Sequence, residues 1–199
     1  MSAARGERLG VFGGTFDPIH VGHLVAAVNA RHALALDRVL FVVANQPWQK
    51  EDRSPTPAEH RLAMVEAAVA GAPGLEASRL EIDRGGETYT ADTLETLAAE
   101  DSSRELFLVV GADVAGALSS WRRLDVVRRL ATVVVVSRPG APVADAGAGW
   151  RTAQVDIPLL DLSGSDLRRR AGAGLPLDYL VPPGAIDRIR ALGLYAGGR

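Results

Sequence analysis

The 199-residue chain predicts an α/β fold: a doubly wound, mainly parallel sheet with C-terminal helices, in one domain over residues 1–199. Three observations carry that prediction. Arg38–Val43 (RVLFVV), Leu106–Val110 and Thr132–Val136 are short apolar runs, as expected of parallel strands covered on both faces. Segments of helical apolar spacing separate them. The first strand-like run, Arg8–Phe12, leads into Gly13-Gly14, and ligands of such sheets bind beyond strand carboxyl ends.

The remaining elements follow in order. A helix is expected from about Gly22 to Ala35, and Arg38–Val43 is the second strand. Thr56-Pro57-Ala58-Glu59 reads as a capping box with Pro at the first helical position. Leu62, Val65 and Val69 give that helix one apolar face, and Gly71 can end it. Leu75–Ile82 alternates like a strand, Thr90 can cap a helix to about Ala99, and Val114–Leu130 is helical sequence between two buried strands. Ala153–Ile157 reads as a last strand, before helices near Asp166–Ala171 and Gly184–Leu192. Pro139–Gly149 is Gly/Ala-rich and reads as an inserted loop. No internal repeat is present, so one domain is expected.

Composition narrows the function classes. A formal net charge of −2 argues against a broad nucleic-acid-binding face, so phosphate binding should be local. No apolar run reaches the ~18–20 residues of a membrane span, and Met1–Arg8 lacks a signal-peptide core. With no cysteine there is no disulfide or thiolate metal site. A cytoplasmic protein is expected. Lys50 is the only lysine among many arginines; it is either a compact charge kept for a purpose or an exposed survivor.

The chemistry concentrates in Gly13-Gly14-Thr15-Phe16-Asp17-Pro18-Ile19-His20-Val21-Gly22-His23. The two glycines let backbone approach a ligand, and their amides can face an anion. His20 and His23 lie three apart at a helix start, so both rings can share one side. Gly22 leaves room for a flat group, and the helix N-terminus favours phosphate. No G-x-G-x-x-G follows this strand, and no Gly-Lys-Ser/Thr makes a P-loop. Near the other end, Ser163-Gly164-Ser165-Asp166-Leu167-Arg168 is a hydroxyl-bearing turn at a helix start with an arginine one turn in, which suits a polyphosphate.

These segments resemble the two signatures of the nucleotidyltransferases that carry a His-x-Gly-His motif, with a Rossmann-like sheet. The second signature is Ser-Ser-Thr-x-x-Arg, and this chain departs from it at Gly164 and Ser165. Within that superfamily the chain resembles the bacterial nicotinate-nucleotide adenylyltransferases over nearly its whole length. Arg84–Thr90 with Asp92-Thr93-Leu94, Gly111-Ala112-Asp113, Trp121, Ser137-Arg138-Pro139-Gly140 and the closing Gly193-Leu194-Tyr195 carry the likeness. Gln46-Pro47-Trp48-Gln49-Lys50 departs from the commoner Pro-His-Lys and looks like an actinobacterial variant.

The resemblance implies transfer of the adenylyl group of ATP to nicotinate mononucleotide, with magnesium carried on the ATP phosphates and no metal held by the protein. His20, His23 and Arg168 would be catalytic, with Ser163, Ser165 and Arg168 on the β- and γ-phosphates. Gly13, Gly14, Thr15, Phe16, Gly22 and Gly111 would line the ATP site, with Arg138 near the adenosine. Asp113 reads equally as a ribose acceptor or a helix cap. On the acceptor side stand Thr15, Lys50, Thr88, Tyr89, Thr90 and Trp121. The helix-start amides at Thr88–Thr90 would meet the pyridine carboxylate, and Trp121 would stack on the ring or fill the core. The partners implied are ATP and nicotinate mononucleotide, with no nucleic acid and no membrane; a homo-oligomer is compatible with them. The alternatives are preference for nicotinamide mononucleotide or another phosphate ester, or a non-catalytic nucleotide-binding regulator on the same scaffold.

Overall fold

The computed structural model describes residues 5–47, 55–137, 149–158 and 160–196, the side chain of Asp113 excepted. β1 (Arg8–Gly14) runs two residues past the expected strand, so Gly13 and Gly14 end the strand instead of forming the turn. α1 (Val21–Ala33) and β2 (Arg38–Val43) follow. α2 (Ala58–Val69) buries Leu62, Val65 and Val69 as its spacing predicts, but the capping box does not form. Pro57 is the cap residue, and no side chain caps the helix. Gly71, at φ 76, takes the left-handed turn just beyond.

β3 (Leu75–Ser78) is half the expected strand, and α3 (Leu80–Arg84) replaces the rest. α4 (Thr90–Glu100) begins with Thr90 inside the helix and Tyr89 at the cap, again without a side-chain cap. β4 (Glu105–Gly111) is followed by α5 (Ala112–Gly116), a 3₁₀ turn over Leu118–Ser120 and α6 (Leu124–Leu130). The expected helical stretch is thus three short pieces. β5 (Ala131–Ser137), β6 (Thr152–Asp156), α7 (Gly164–Gly172) and α8 (Pro183–Ala191) complete the order.

Among the described residues six strands form one sheet in the order β3-β2-β1-β4-β5-β6. β1 pairs parallel with β4, β4 with β5, and β5 with β6, in registers such as Leu9 on Leu106 and Val109 on Val134. The strand order reverses between β1 and β4, the switch point at which such sheets place ligands.

The chain divides into two compact units. The first comprises Met1–Gly13, Ala26–Leu40 and Tyr89–Leu159, and its core includes Leu9, Val11, Val39, Leu94, Leu108 and Val133–Val136. Gly10 is needed there: a Cβ would stand 2.9 Å from Val39 Cγ2. The second comprises Gly14–Val25, Phe41–Thr88 and Leu160–Arg199. Its core joins Phe41, Leu62, Met64, Val65, Leu167 and Ile186. α8 meets α2 at Gly184, where a Cβ would lie 2.6 Å from the Ala67 carbonyl oxygen. Among the described residues no helix is long and apolar enough to cross a membrane.

Candidate active site

In the second unit, the loop after β1 is shaped by rings. A Cβ on Gly14 would lie 2.8 Å from the Phe16 ring, so that ring covers the glycine. Phe16 takes a left-handed backbone (φ 48) and is 3% exposed, with edge contacts to His23 at 5.0 Å and Phe41 at 5.6 Å between centroids. It supports His23 from the core side. The Asp17–Pro18 peptide is cis. Gly13, which belongs to the first unit, is open: a Cβ there would meet nothing within 4 Å.

The two imidazoles do share one side. Their rings stack at 3.7 Å between centroids, 28° from parallel. The His20 backbone N–H donates to His23 Nδ1 at 3.2 Å, which leaves the proton of a neutral His23 on Nε2. His20 is buried, its Nδ1 has no hydrogen-bond partner, and burial pushes its pKa down to about 4. It is therefore neutral at pH 7. Gly22 does leave room for a flat group, but that group is the His20 ring itself: a Cβ on Gly22 would meet its Nδ1 at 3.0 Å and Cε1 at 3.1 Å.

The segment at the other end of the chain comes to the same loop. Arg168 Nη1 donates to the Asp17 carbonyl oxygen at 2.6 Å, across 151 positions of sequence, and Nη2 donates to Ser165 Oγ at 2.8 Å. Ser163 caps α7, its Oγ accepting from Asp166 N at 3.1 Å. Gly164 has a steric reason to be glycine, since a Cβ would lie 2.9 Å from the Asp17 carbonyl oxygen and 3.2 Å from Arg168 Nη1. His20, His23, Ser165 and Arg168 are thus held by one loop and one helix start. They form a nest of hydrogen-bond donors suited to phosphate oxygens.

Three residues that the sequence reading left without a role organise this loop. Arg61, on α2 and 1% exposed, donates to the carbonyls of Thr15 at 2.8 Å, Thr56 at 2.7 Å, Ala44 at 2.7 Å and Asn45 at 3.1 Å. Burial lowers its pKa, while the Asp17 carboxylate pulls the other way. Asp17 Oδ1 accepts from the Tyr195 hydroxyl at 2.6 Å, and Oδ2 accepts from Thr56 N at 3.3 Å. Burial first, then the bond to Asp17, raises the Tyr195 pKa and keeps that hydroxyl a donor. Arg61 left a signal: it stands four residues before Val65, a cation within the apolar stripe of α2.

Thr88 also lies in the second unit. Its Oγ1 accepts from Asn45 N at 3.1 Å and its amide donates to Gln46 O at 3.3 Å, so that amide is engaged and not one of the expected open donors. In the first unit, Tyr89 and Thr90 open α4, and the Arg122 guanidinium lies 4.8 Å over the Tyr89 ring. Trp121 is half-buried, its enclosed Nε1 without a partner. Gly111 caps α5, which contains Asp113. Trp48, Gln49, Lys50 and Arg138 lie outside the described residues, as do residues 139–148 of the expected Pro139–Gly149 loop.

The family model described as cytidylyltransferase-like matches residues 11–170. A Corynebacterium kroppenstedtii protein named "Probable nicotinate-nucleotide adenylyltransferase" is 45% identical, covering 94% of this chain and 90% of its own. A protein of the same name from Saccharopolyspora erythraea is 44% identical over 98% of this chain and 92% of its own. Among solved structures, the Plasmodium falciparum nicotinic acid mononucleotide adenylyltransferase complexed with NaAD shares the fold, with TM-score 0.78 and 20% identity over 95% of this chain and 97% of that one. A match over most of the chain, together with two relatives well above 40% identity, places the protein: it is a member of the cytidylyltransferase-like family and, within it, of the nicotinate-nucleotide adenylyltransferases.

Proposed function

We propose that this chain transfers the adenylyl group of ATP to nicotinate mononucleotide, giving deamido-NAD and pyrophosphate in NAD biosynthesis. The reading rests above all on the guanidinium of Arg168 being tied to the loop that carries the stacked His20–His23 pair. A phosphate oxygen of the mononucleotide attacks the α-phosphorus of ATP in line. The bond to the bridging oxygen breaks, and pyrophosphate leaves with that electron pair. Positioning and charge stabilisation suffice, with no covalent enzyme intermediate.

His20, neutral at pH 7, acts as a hydrogen-bond donor and not as a fixed cation. His23 presents Nε2–H beside it, and Ser163, Ser165 and Arg168 hold the β- and γ-phosphates. Gly13, Gly14, Thr15, Phe16, Gly22, Gly111, Asp113 and Arg138 complete the ATP site. Thr15, Lys50, Thr88, Tyr89, Thr90 and Trp121 serve the acceptor, with Trp121 Nε1 as a buried donor seeking a partner. Magnesium would be carried by the ATP phosphates and would supply charge neutralisation there, since among the described residues no group of three or more His, Asp or Glu side chains could hold it. The chain works as one domain over residues 1–199, in the cytoplasm.

Pyrophosphate release should be measured with ATP and, separately, nicotinate and nicotinamide mononucleotides. Preference for the acid form is expected; equal or better use of the amide overturns the acceptor assignment. His20→Ala should keep ATP binding and lose turnover, and undiminished turnover would remove the catalytic role.

A further inference from the structure

We propose that Asp17 and Tyr195 are a positioning pair that sets the aim of Arg168, an inference resting on the phosphate-binding role given to that arginine above. The Asp17 residue is 4% exposed and is gripped from three directions. Its carboxylate takes the Tyr195 hydroxyl at 2.6 Å and Thr56 N at 3.3 Å, and its main-chain carbonyl takes Arg168 Nη1 at 2.6 Å. One residue therefore fixes, through its two ends, the hydroxyl of the C-terminal segment and the guanidinium of the second motif.

The same C-terminal segment also abuts the far end of α7. A Cβ on Gly172, the last residue of that helix, would lie 3.1 Å from the Tyr195 carbonyl oxygen. At the near end of α7, Gly164 lets the Asp17 carbonyl approach closely. α7 is thus located at its start by Asp17 and at its end by the backbone of Tyr195, and the Tyr195–Asp17 hydrogen bond closes the circuit. Tyr195 sits in the left-handed region at φ 64, a conformation disfavoured by its Cβ. The side chain it delivers is the one that reaches Asp17. Without the hydroxyl, the Asp17 carboxylate loses its short charge-assisted bond and keeps the longer one from Thr56 N, so the peptide that accepts from Arg168 is held less firmly and the guanidinium is aimed less well.

The test is a double-mutant cycle on the full chain: wild type, Tyr195→Phe, Arg168→Lys and the double variant. Lys keeps a cation but lacks the fork that Asp17 and Ser165 grip, so binding stays measurable. Two readouts are taken on each protein: the Kd of magnesium-ATP by calorimetry and kcat/KM with nicotinate mononucleotide, after circular dichroism shows native folding. Tyr195→Phe should weaken both about tenfold when Arg168 is present and less than about twofold in the Arg168→Lys background. Equal losses in both backgrounds, or no loss in either, overturn the proposal. Should Tyr195→Phe fail to fold, Asp17→Asn replaces it in the same cycle with the same criterion. A wild-type protein that binds ATP but does not transfer to nicotinate mononucleotide sinks the proposed function alone, and the Kd cycle still decides the positioning pair.

Discussion

Lowering the pH from 7 toward 4.5 puts a proton on His20 in the unfolded chain well before the folded protein accepts one. Burial holds the folded pKa near 4, against the ordinary 6.5. At pH 7 the folded state is neutral there and the unfolded state mostly so, and the residue contributes little pH dependence. Between about 6.5 and 4 the unfolded state binds the extra proton, so stability falls as pH falls, by about 1.4 kcal/mol per pH unit. The full loss approaches about 3 kcal/mol, reached near pH 4. The assay is urea unfolding of wild type and His20→Asn at pH 7.0, 6.0 and 5.0, where the difference between the proteins cancels other titrating groups. Asn cannot be charged, so the wild type should lose about 1–2 kcal/mol more than the variant between pH 7 and 5. Parallel stability curves, or an imidazole resonance of His20 titrating near 6.5, would refute the reasoning. The same burial keeps His20 neutral above pH 5 in the free protein, so an acid limb in kcat/KM above pH 5 belongs to another group.

Three other substitutions separate the structural from the chemical parts of the site. Arg61→Met leaves the carbonyls of Thr15, Ala44, Asn45 and Thr56 without their buried donor; denaturation in urea should show a loss of about 3 kcal/mol or more. Gly22→Ala should change stability by no more than about 1 kcal/mol, because helix propensity offsets crowding, while turnover falls at least about tenfold. The reason is that its Cβ would press on a His20 ring already stacked on His23, leaving the ring no room to yield; unaltered kcat would show that the ring can shift harmlessly. Ser163→Ala removes the α7 cap bond to Asp166 N and should cost about 1 kcal/mol in nucleotide-free unfolding.

The sequence announces β2, β4 and β5 because strands covered on both faces must be continuously apolar, and no competing pattern resembles that. The cap assignments slip by one, and at Thr56 other bonds accompany the slip. Thr56 gives its amide to Asp17 and its carbonyl to Arg61, and Pro57 takes the cap position. The strand expected over Leu75–Ile82 forms only as far as Ser78, and its second half carried a warning. Apolar residues at 75 and 77 are two apart, but the next pair, 80 and 82, comes after a step of three, which turns a continued strand to its other face. The chain breaks at that step, at Arg79 with ψ 8, and continues as α3.

At the site, the paired histidines were legible because their chemistry is local: a few neighbouring residues suffice to imply an anion beside two imidazoles, although Gly13 and Gly14 end β1 and do not form the expected turn. The Tyr195–Asp17 bond spans 178 positions and the Arg168–Asp17 bond 151, and no periodicity records which distant side chain will meet which. Arg61 lies between these cases. A cation in an apolar stripe says that something buried must accept from it, without saying what. The four accepting carbonyls are on the loop after β1, just after β2 and just before α2, so one side chain ties the loop that carries Asp17 and His20 to its neighbours. A single buried guanidinium can hold three loops because backbone carbonyls are acceptors wherever the chain runs, whatever its side chains. For that reason a motif of eleven residues can name the reaction, while the scaffold that aims the motif is visible only in the fold.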